Sequence, residues 1–397
     1  MQEAAYASLP FKLRRQLHMT AGLRLERDLG VESDADPAVL SQHFALAGDH
    51  ARAHRYAMVA GRQATKRFSH ADAAQLYRRA IDAGRASGPA ADSRALAEAW
   101  EQLGDALRCM GEPETAAQAL TQARRLVSAD PIAQARICHS HAKVAEHSTS
   151  LTAAVRWLQR GLRCADGITG AEALACRAQI RSQLGGIRNR QGRWAEAISA
   201  CRQAIAEAEE VGELSALTHA YCALDRALIE SGRHEGAFHS RRALELCEQL
   251  GDPELESAVL NSLGLFAYFD GRWDEAVSLY ERAGECSDRA GVPADRAPTD
   301  CNVGEVLSDQ GRLDDAEAHL RRARRVWSAT GERHAVAFVD VLLTRLAVRR
   351  GSCPDAVRTL EAAATDLHKF GADVFAGFAR ALIAEAHAFT GDAARAL

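Results

Sequence analysis

The chain has 397 residues, 47% hydrophobic, 26% charged and only 6% aromatic, with 9 prolines and about a fifth alanine. Alanine is the best helix former, so this balance favours an all-α fold over a β-rich one. A net charge of −4 gives no overall basic field for nucleic acid, and no stretch nears the roughly 18 apolar residues of a membrane span.

Residues 1–46 stand outside any repeat and predict an N-terminal helical segment. They run Glu3-Ala4-Ala5-Tyr6, Leu9-Pro10, Arg14-Arg15, Leu17-His18 and Leu25-Glu26, then a loop before His43-Phe44. Met1 to Tyr6 lack the basic and apolar parts of a secretory leader, so the expected location is the cytoplasm. Ala47-Gly48-Asp49, Ala53, Tyr56 and Ala60-Gly61 follow and open a periodic region over 47–397.

There the turn Gly192-Arg193-Trp194-Ala195-Glu196-Ala197 recurs as Gly232-Arg233-His234-Glu235-Gly236-Ala237, Gly271-Arg272-Trp273-Asp274-Glu275-Ala276 and Gly311-Arg312-Leu313-Asp314-Asp315-Ala316. Weaker copies begin at Gly111, Gly351 and Gly391. Gly212, Gly251, Gly291, Gly331 and Gly371 form a second series half a period out of phase. Two glycine stops every 39 or 40 residues delimit two helices of about four turns each, a helical hairpin. Leu263-Gly264 before Gly271, then Ala276, Tyr280 and Ala283, resembles the tetratricopeptide pattern of a Leu-Gly pair, a turn glycine and a small-large-small second helix. Equivalent sets are Leu103-Gly104 with Ala116, Leu120 and Ala123, Leu184-Gly185 with Ala197, Cys201 and Ala204, and Val303-Gly304 with Ala316, Leu320 and Ala323. Two copies are degenerate: Thr149 and Phe68 stand where the turn glycine belongs. The resemblance implies a right-handed superhelical solenoid of about eight to nine hairpins. The last motif, Gly391 to Leu397, stops as its second helix would begin, so the chain is expected to be part of a longer protein.

The N-terminal string followed by such an array resembles the region after the winged helix of bacterial STAND-class signalling ATPases. Such arms occur in proteins resembling nucleotidyl cyclases and in LuxR-type transcriptional activators. The resemblance implies the sensor and interaction arm of a regulator, with an ATPase domain upstream in cis as one partner. The sequence itself holds no G-x-x-x-x-G-K-[ST] loop, no cyclase carboxylate pair and no terminal helix-turn-helix. An enzyme is therefore not expected, nor a cofactor.

In tetratricopeptide arrays the first helix of each hairpin lines a concave groove, and the offsets from the Leu-Gly glycine name the candidates. They are His139, Lys143, His147, Asn189, Arg190, Arg226, Asn261, Tyr268, Phe269, Glu305, Asp309, Arg345 and Arg349, with Glu146, Glu230 and Ser308 on the same ladder. A mixed-sign, partly aromatic lining suits a protein or peptide better than a polyanion. The alternative is a small molecule sensed inside the solenoid of a transcriptional activator or cyclase. No metal is expected: His139 and His141 point about 200° apart on a helix, and His50 with His54 is a bare pair. Ten cysteines without a C-x-x-C pair read as reduced, buried thiols. The arginine pairs Arg78-Arg79, Arg124-Arg125, Arg241-Arg242, Arg321-Arg322 and Arg324-Arg325 read as a solvated outer face.

Overall fold

The structure is a computed structural model that describes residues 9–28, 36–88, 92–148, 151–232, 238–290, 293–351 and 355–389. Among the described residues every regular element is an α-helix, nineteen in all. The chain divides into two compact units, residues 1–133 and 134–397. The first holds α1 (Phe11–Asp28), α2 (Pro37–Ala47), α3 (His50–Lys66), α4 (His70–Ala86), α5 (Ser93–Cys109) and α6 (Pro113–Leu126). Next come α7 (Pro131–Ser148), α8 (Leu151–Cys164), α9 (Ala171–Arg190), α10 (Trp194–Val211), α11 (Leu214–Glu230), α12 (Phe238–Leu250) and α13 (Pro253–Phe269). The last are α14 (Trp273–Ala290), α15 (Pro293–Asp309), α16 (Leu313–Thr330), α17 (Arg333–Arg349), α18 (Ala356–Lys369) and α19 (Asp373–Phe389). No helix among the described residues is long and apolar enough to cross a membrane.

Helix starts follow from local chemistry. Asp36, Asp92 and Asp252 cap α2, α5 and α13 by accepting hydrogen bonds from exposed first-turn N–H groups, and Pro37 and Pro253 take the first helical position. Both glycine series end helices in the left-handed region: Gly192, Gly271 and Gly311 have φ of 71°, 75° and 78°, and Gly212 and Gly331 have 69° and 77°. Phe68, at one degenerate turn, adopts φ 57° without being glycine. The other degenerate turn (Thr149), residues 233–237, Gly291, Gly391 to Leu397 and the first eight residues lie outside the described residues.

Packing within a hairpin obeys one rule. The glycine of each Leu-Gly-like pair meets the large residue sixteen positions later: Gly61 and Tyr77, Gly104 and Leu120, Gly185 and Cys201, Gly264 and Tyr280, Gly304 and Leu320. A Cβ on Gly264 would lie 2.6 Å from Tyr280 Cε1, and one on Gly304 would lie 2.7 Å from Leu320 Cγ. Both large residues are buried, as are the alanines that flank them. Small residues thus let paired helices close around one knob.

In the first unit α1 packs on α2, and Arg15 Nε donates to the Ala47 carbonyl at 3.0 Å. Phe44 stacks on Tyr56 of α3 with ring centroids 5.7 Å apart. In the second unit α19 returns against α9 and the turn after it. A Cβ on Gly192 would lie 3.1 Å from Val374 Cγ2, and one on Gly371 would lie 3.0 Å from Thr152 Oγ1. The first helices also contact one another, α9 with α11, α11 with α13, α13 with α15, α15 with α17 and α17 with α19.

Candidate functional site

The second unit carries a polar row on its first helices, and its logic is the 40-residue period. Glu305, Arg345 and Glu385 occupy the same register of α15, α17 and α19, so charge alternates from one helix to the next. Arg345 sits 3.2 Å from Asp309 and 3.6 Å from Glu385. Arg349, one turn on, donates to the Ser308 carbonyl at 2.7 Å and to Asp309 at 2.9 Å, and lies 3.5 Å from Glu385. The Tyr268 hydroxyl of α13 donates to the other Asp309 oxygen at 2.6 Å. Burial and this bond push the Tyr268 phenol above its ordinary range. On α11, Arg226 donates to Glu230 at 2.9 Å.

Glu305 differs from all of these. It is half-buried among these groups, yet among the described residues it makes no hydrogen bond and no salt bridge within 4.0 Å. Burial pushes its carboxyl up to about 7, with the Arg345, Arg226 and Arg349 guanidiniums opposing the shift and Asp309 adding to it.

The remaining candidates fall into three groups. Asn261 accepts from Asn302 at 2.7 Å and so belongs to the same row, and Phe269 is 54% exposed with its ring edge-on to Tyr268. Arg190 pairs with Glu146, which also accepts from Gln183 at 2.6 Å, while Lys143 is half-buried nearby on α7. Asn189 and His139 are inside the protein; Asn189 is 1% exposed and its amide donates to the Ala223 carbonyl at 2.7 Å, tying α9 to α11. His147 is helical, but its side chain lies outside the described residues. Glu385 escaped the ladder of offsets, which ended on α17; one further period from Arg345 reaches it.

The second helices are less open than a solvated face. Arg322 makes a double contact with buried Asp300 at 2.9 and 2.7 Å, and His319 Nδ1 lies 3.0 Å from the same carboxylate. Arg324 pairs with Asp340 and Arg321 with Glu317, both at 2.5 Å, and Arg79 donates to Ser41 at 2.9 Å. Arg321, Arg322 and Arg324 are thus each matched to a carboxylate of this chain, which lowers their pull on phosphates. His141 stacks on Trp157 at 4.2 Å, and His54 bonds the Ala80 carbonyl at 2.8 Å. Burial pushes the Cys201 and Cys222 thiols up to about 12, which leaves them protonated and inert.

Residues 295–365 match the tetratricopeptide repeat family, and residues 181–215 and 259–288 match a second description of that repeat. These stretches carry tetratricopeptide repeats. They include most of α13, α14 and α15 and all of α17. Tyr268, Glu305, Asp309, Arg345 and Arg349 therefore stand on repeat helices, while Arg226 and Glu385 lie outside the matched stretches. Among solved structures, the chain is similar to a Rap protein complexed with Competence and Sporulation Factor. The TM-score is 0.57 at 11% identity, over 85% of this chain and 99% of that one. It is also similar to a STAND protein with a tetratricopeptide repeat sensor from Pyrococcus horikoshii. There the TM-score is 0.49 at 13% identity, over 90% of this chain and 53% of that one. At 11% identity the likeness to the Rap protein concerns the fold alone. No curated protein is similar to this sequence.

Proposed function

We propose that the chain is a non-catalytic binding module that takes a protein or peptide on the first-helix face of its second unit. The observation that carries this reading is the row from Tyr268 to Glu385. It places ordered polar groups, an exposed aromatic at Phe269 and one unpaired carboxylate on a single face. A core helix gains nothing from an unpaired half-buried acid, whereas a binding face does. The solved structure with this fold in complex with Competence and Sporulation Factor is a precedent for a ligand on such an array. A small signalling molecule is the second reading, favoured by the return of α19 onto α9, which brings the first and last of these helices into contact.

We further infer a place in a bacterial signalling regulator. Residues 1–46 are the segment leading from an upstream ATPase in cis, and 47–397 form a right-handed cytoplasmic array of eight to nine hairpins. The N-terminal string supports this, and a phosphate-loop motif encoded in frame upstream of Met1 is its test. The binding reading is tested with peptides selected from a random display library on the full chain. Replacing Tyr268 and Phe269 together by Ala is expected to weaken such a peptide at least about tenfold. Arg321→Glu with Arg325→Glu, on the exposed second-helix side, is expected to leave it unchanged. The reverse pattern moves the partner to the outer face.

A further inference from the structure

Charge counting on the inner row leaves one remainder. Three guanidiniums, Arg226, Arg345 and Arg349, contact three carboxylates, Glu230, Asp309 and Glu385, at 2.9 to 3.6 Å. Glu305 is a fourth carboxylate among them and contacts none of these cations. A ligand laid over this face strips water from whatever it covers. A charge that loses its water and gains no counter-charge is expensive, while an opposite charge placed on it restores the balance.

We propose that Glu305 is the docking point for a basic side chain, arginine or lysine, of a peptide held on the inner face of the second unit. This rests on the binding reading above and names the partner's chemistry. The opposite polarity fits worse. A peptide's terminal carboxylate needs several free donors, and the guanidiniums of Arg345 and Arg349 are shared between Asp309, Glu385 and Ser308, which leaves one buried donor, Arg345 Nε, without a hydrogen bond. The same three arginines, each beside its own carboxylate, repel an incoming cation far less than bare charges do.

Binding is then linked to protons. The groups facing Glu305 are Arg226 from α11, Tyr268 from α13, Tyr280 from α14, and Arg345 and Arg349 from α17, with Cys301 and Asp309 on its own helix. Burial pushes the Tyr268 and Tyr280 phenols and the Cys301 thiol upward, so they stay neutral at physiological pH. With its carboxyl at about 7, Glu305 is half protonated at neutrality, and a guanidinium ligand drives it to the ionised form. Affinity for an arginine peptide therefore rises from pH 6 to pH 8.

The test selects random dodecapeptides on the folded full chain and on its Glu305→Gln variant, with circular dichroism as the check on folding. Binders of the parent chain are expected to be enriched in arginine and lysine, and those of Glu305→Gln are not. Replacing the key arginine of a selected peptide by citrulline is expected to cost about tenfold on the parent chain, with no variant protein needed, and almost nothing on Glu305→Gln. Acidic or neutral binders, or equal affinity of one basic peptide for both proteins, overturn the proposal. If binders are lost on Tyr268→Ala with Phe269→Ala but not on Glu305→Gln, the binding face stands and this inference falls. If no peptide is selected, both fall.

Discussion

Asp300 and Glu305 sit on the same helix, α15, five residues and about 140° of rotation apart, and they meet opposite electrostatic fates. Asp300 is 1% exposed and looks toward α16, where His319 and Arg322 bind it and Arg296 stands 3.7 Å away. Burial works against its charge, yet the hydrogen bonds from His319 and Arg322 hold its carboxyl at about 2. Glu305 looks toward α13 and α17, finds neighbouring charges already matched to each other, and rises to about 7. The lesson is that burial alone does not sort structural from functional acids. Asp300 has its counter-charges built in, and Glu305 leaves that place open.

The largest effect expected from this contrast is at Asp300. Asp300→Asn should destabilise the second unit by about 3 kcal/mol, because it leaves Arg322 and His319 half-buried without their carboxylate. The folded carboxyl lies below its ordinary 3.8, so its contribution is present above that pH and is lost as pH falls toward 2. Urea titrations at pH 7 and pH 3 check both parts. A loss as large at pH 3 as at pH 7 would break the contrast.

Gly304→Ala sharpens it by supplying a charge-free baseline on the same helix. The new methyl would lie 2.7 Å from Leu320 Cγ in a buried knob, costing about 2 kcal/mol with no dependence on pH. Glu305→Gln should act with the opposite sign. The folded carboxyl is raised above its ordinary 4.5, so the acid's cost to stability grows as pH climbs from 4.5 to about 7 and levels off above that. The variant is therefore expected to gain about 2 kcal/mol at pH 8 and almost nothing at pH 5. A gain that is flat across this range would make Glu305 a packing residue.

Much of the scaffold is legible in the amino-acid sequence because it is local and periodic. The glycines at 192, 271 and 311 announce helix ends by their conformational freedom, and the sixteen-residue offset from Gly264 to Tyr280 is one hairpin's internal geometry. Tyr77 and Tyr280 are knobs, and Tyr268 and Phe269 are not. The ion pairing is a different matter. Asp300 reaches Arg322 across 22 residues and Arg349 reaches Asp309 across 40, so each pair depends on how neighbouring helices rotate, which no motif records. That is why Arg322 reads as solvated in the sequence and is half-buried on Asp300 in the fold. It is also why Asn189 reads as a groove residue although it is buried and its amide nitrogen is bonded between two helices.

If Glu305 holds its place open for a cation, binding that cation must release protons, and proton counting reads this out. Calorimetric titration of the full chain with a selected arginine peptide at pH 7, in two buffers of different ionisation enthalpy, gives the protons exchanged on binding. With a carboxyl at about 7, release of about half a proton per peptide is expected, falling to none in Glu305→Gln. Binding with no proton released, or with uptake, would contradict the account.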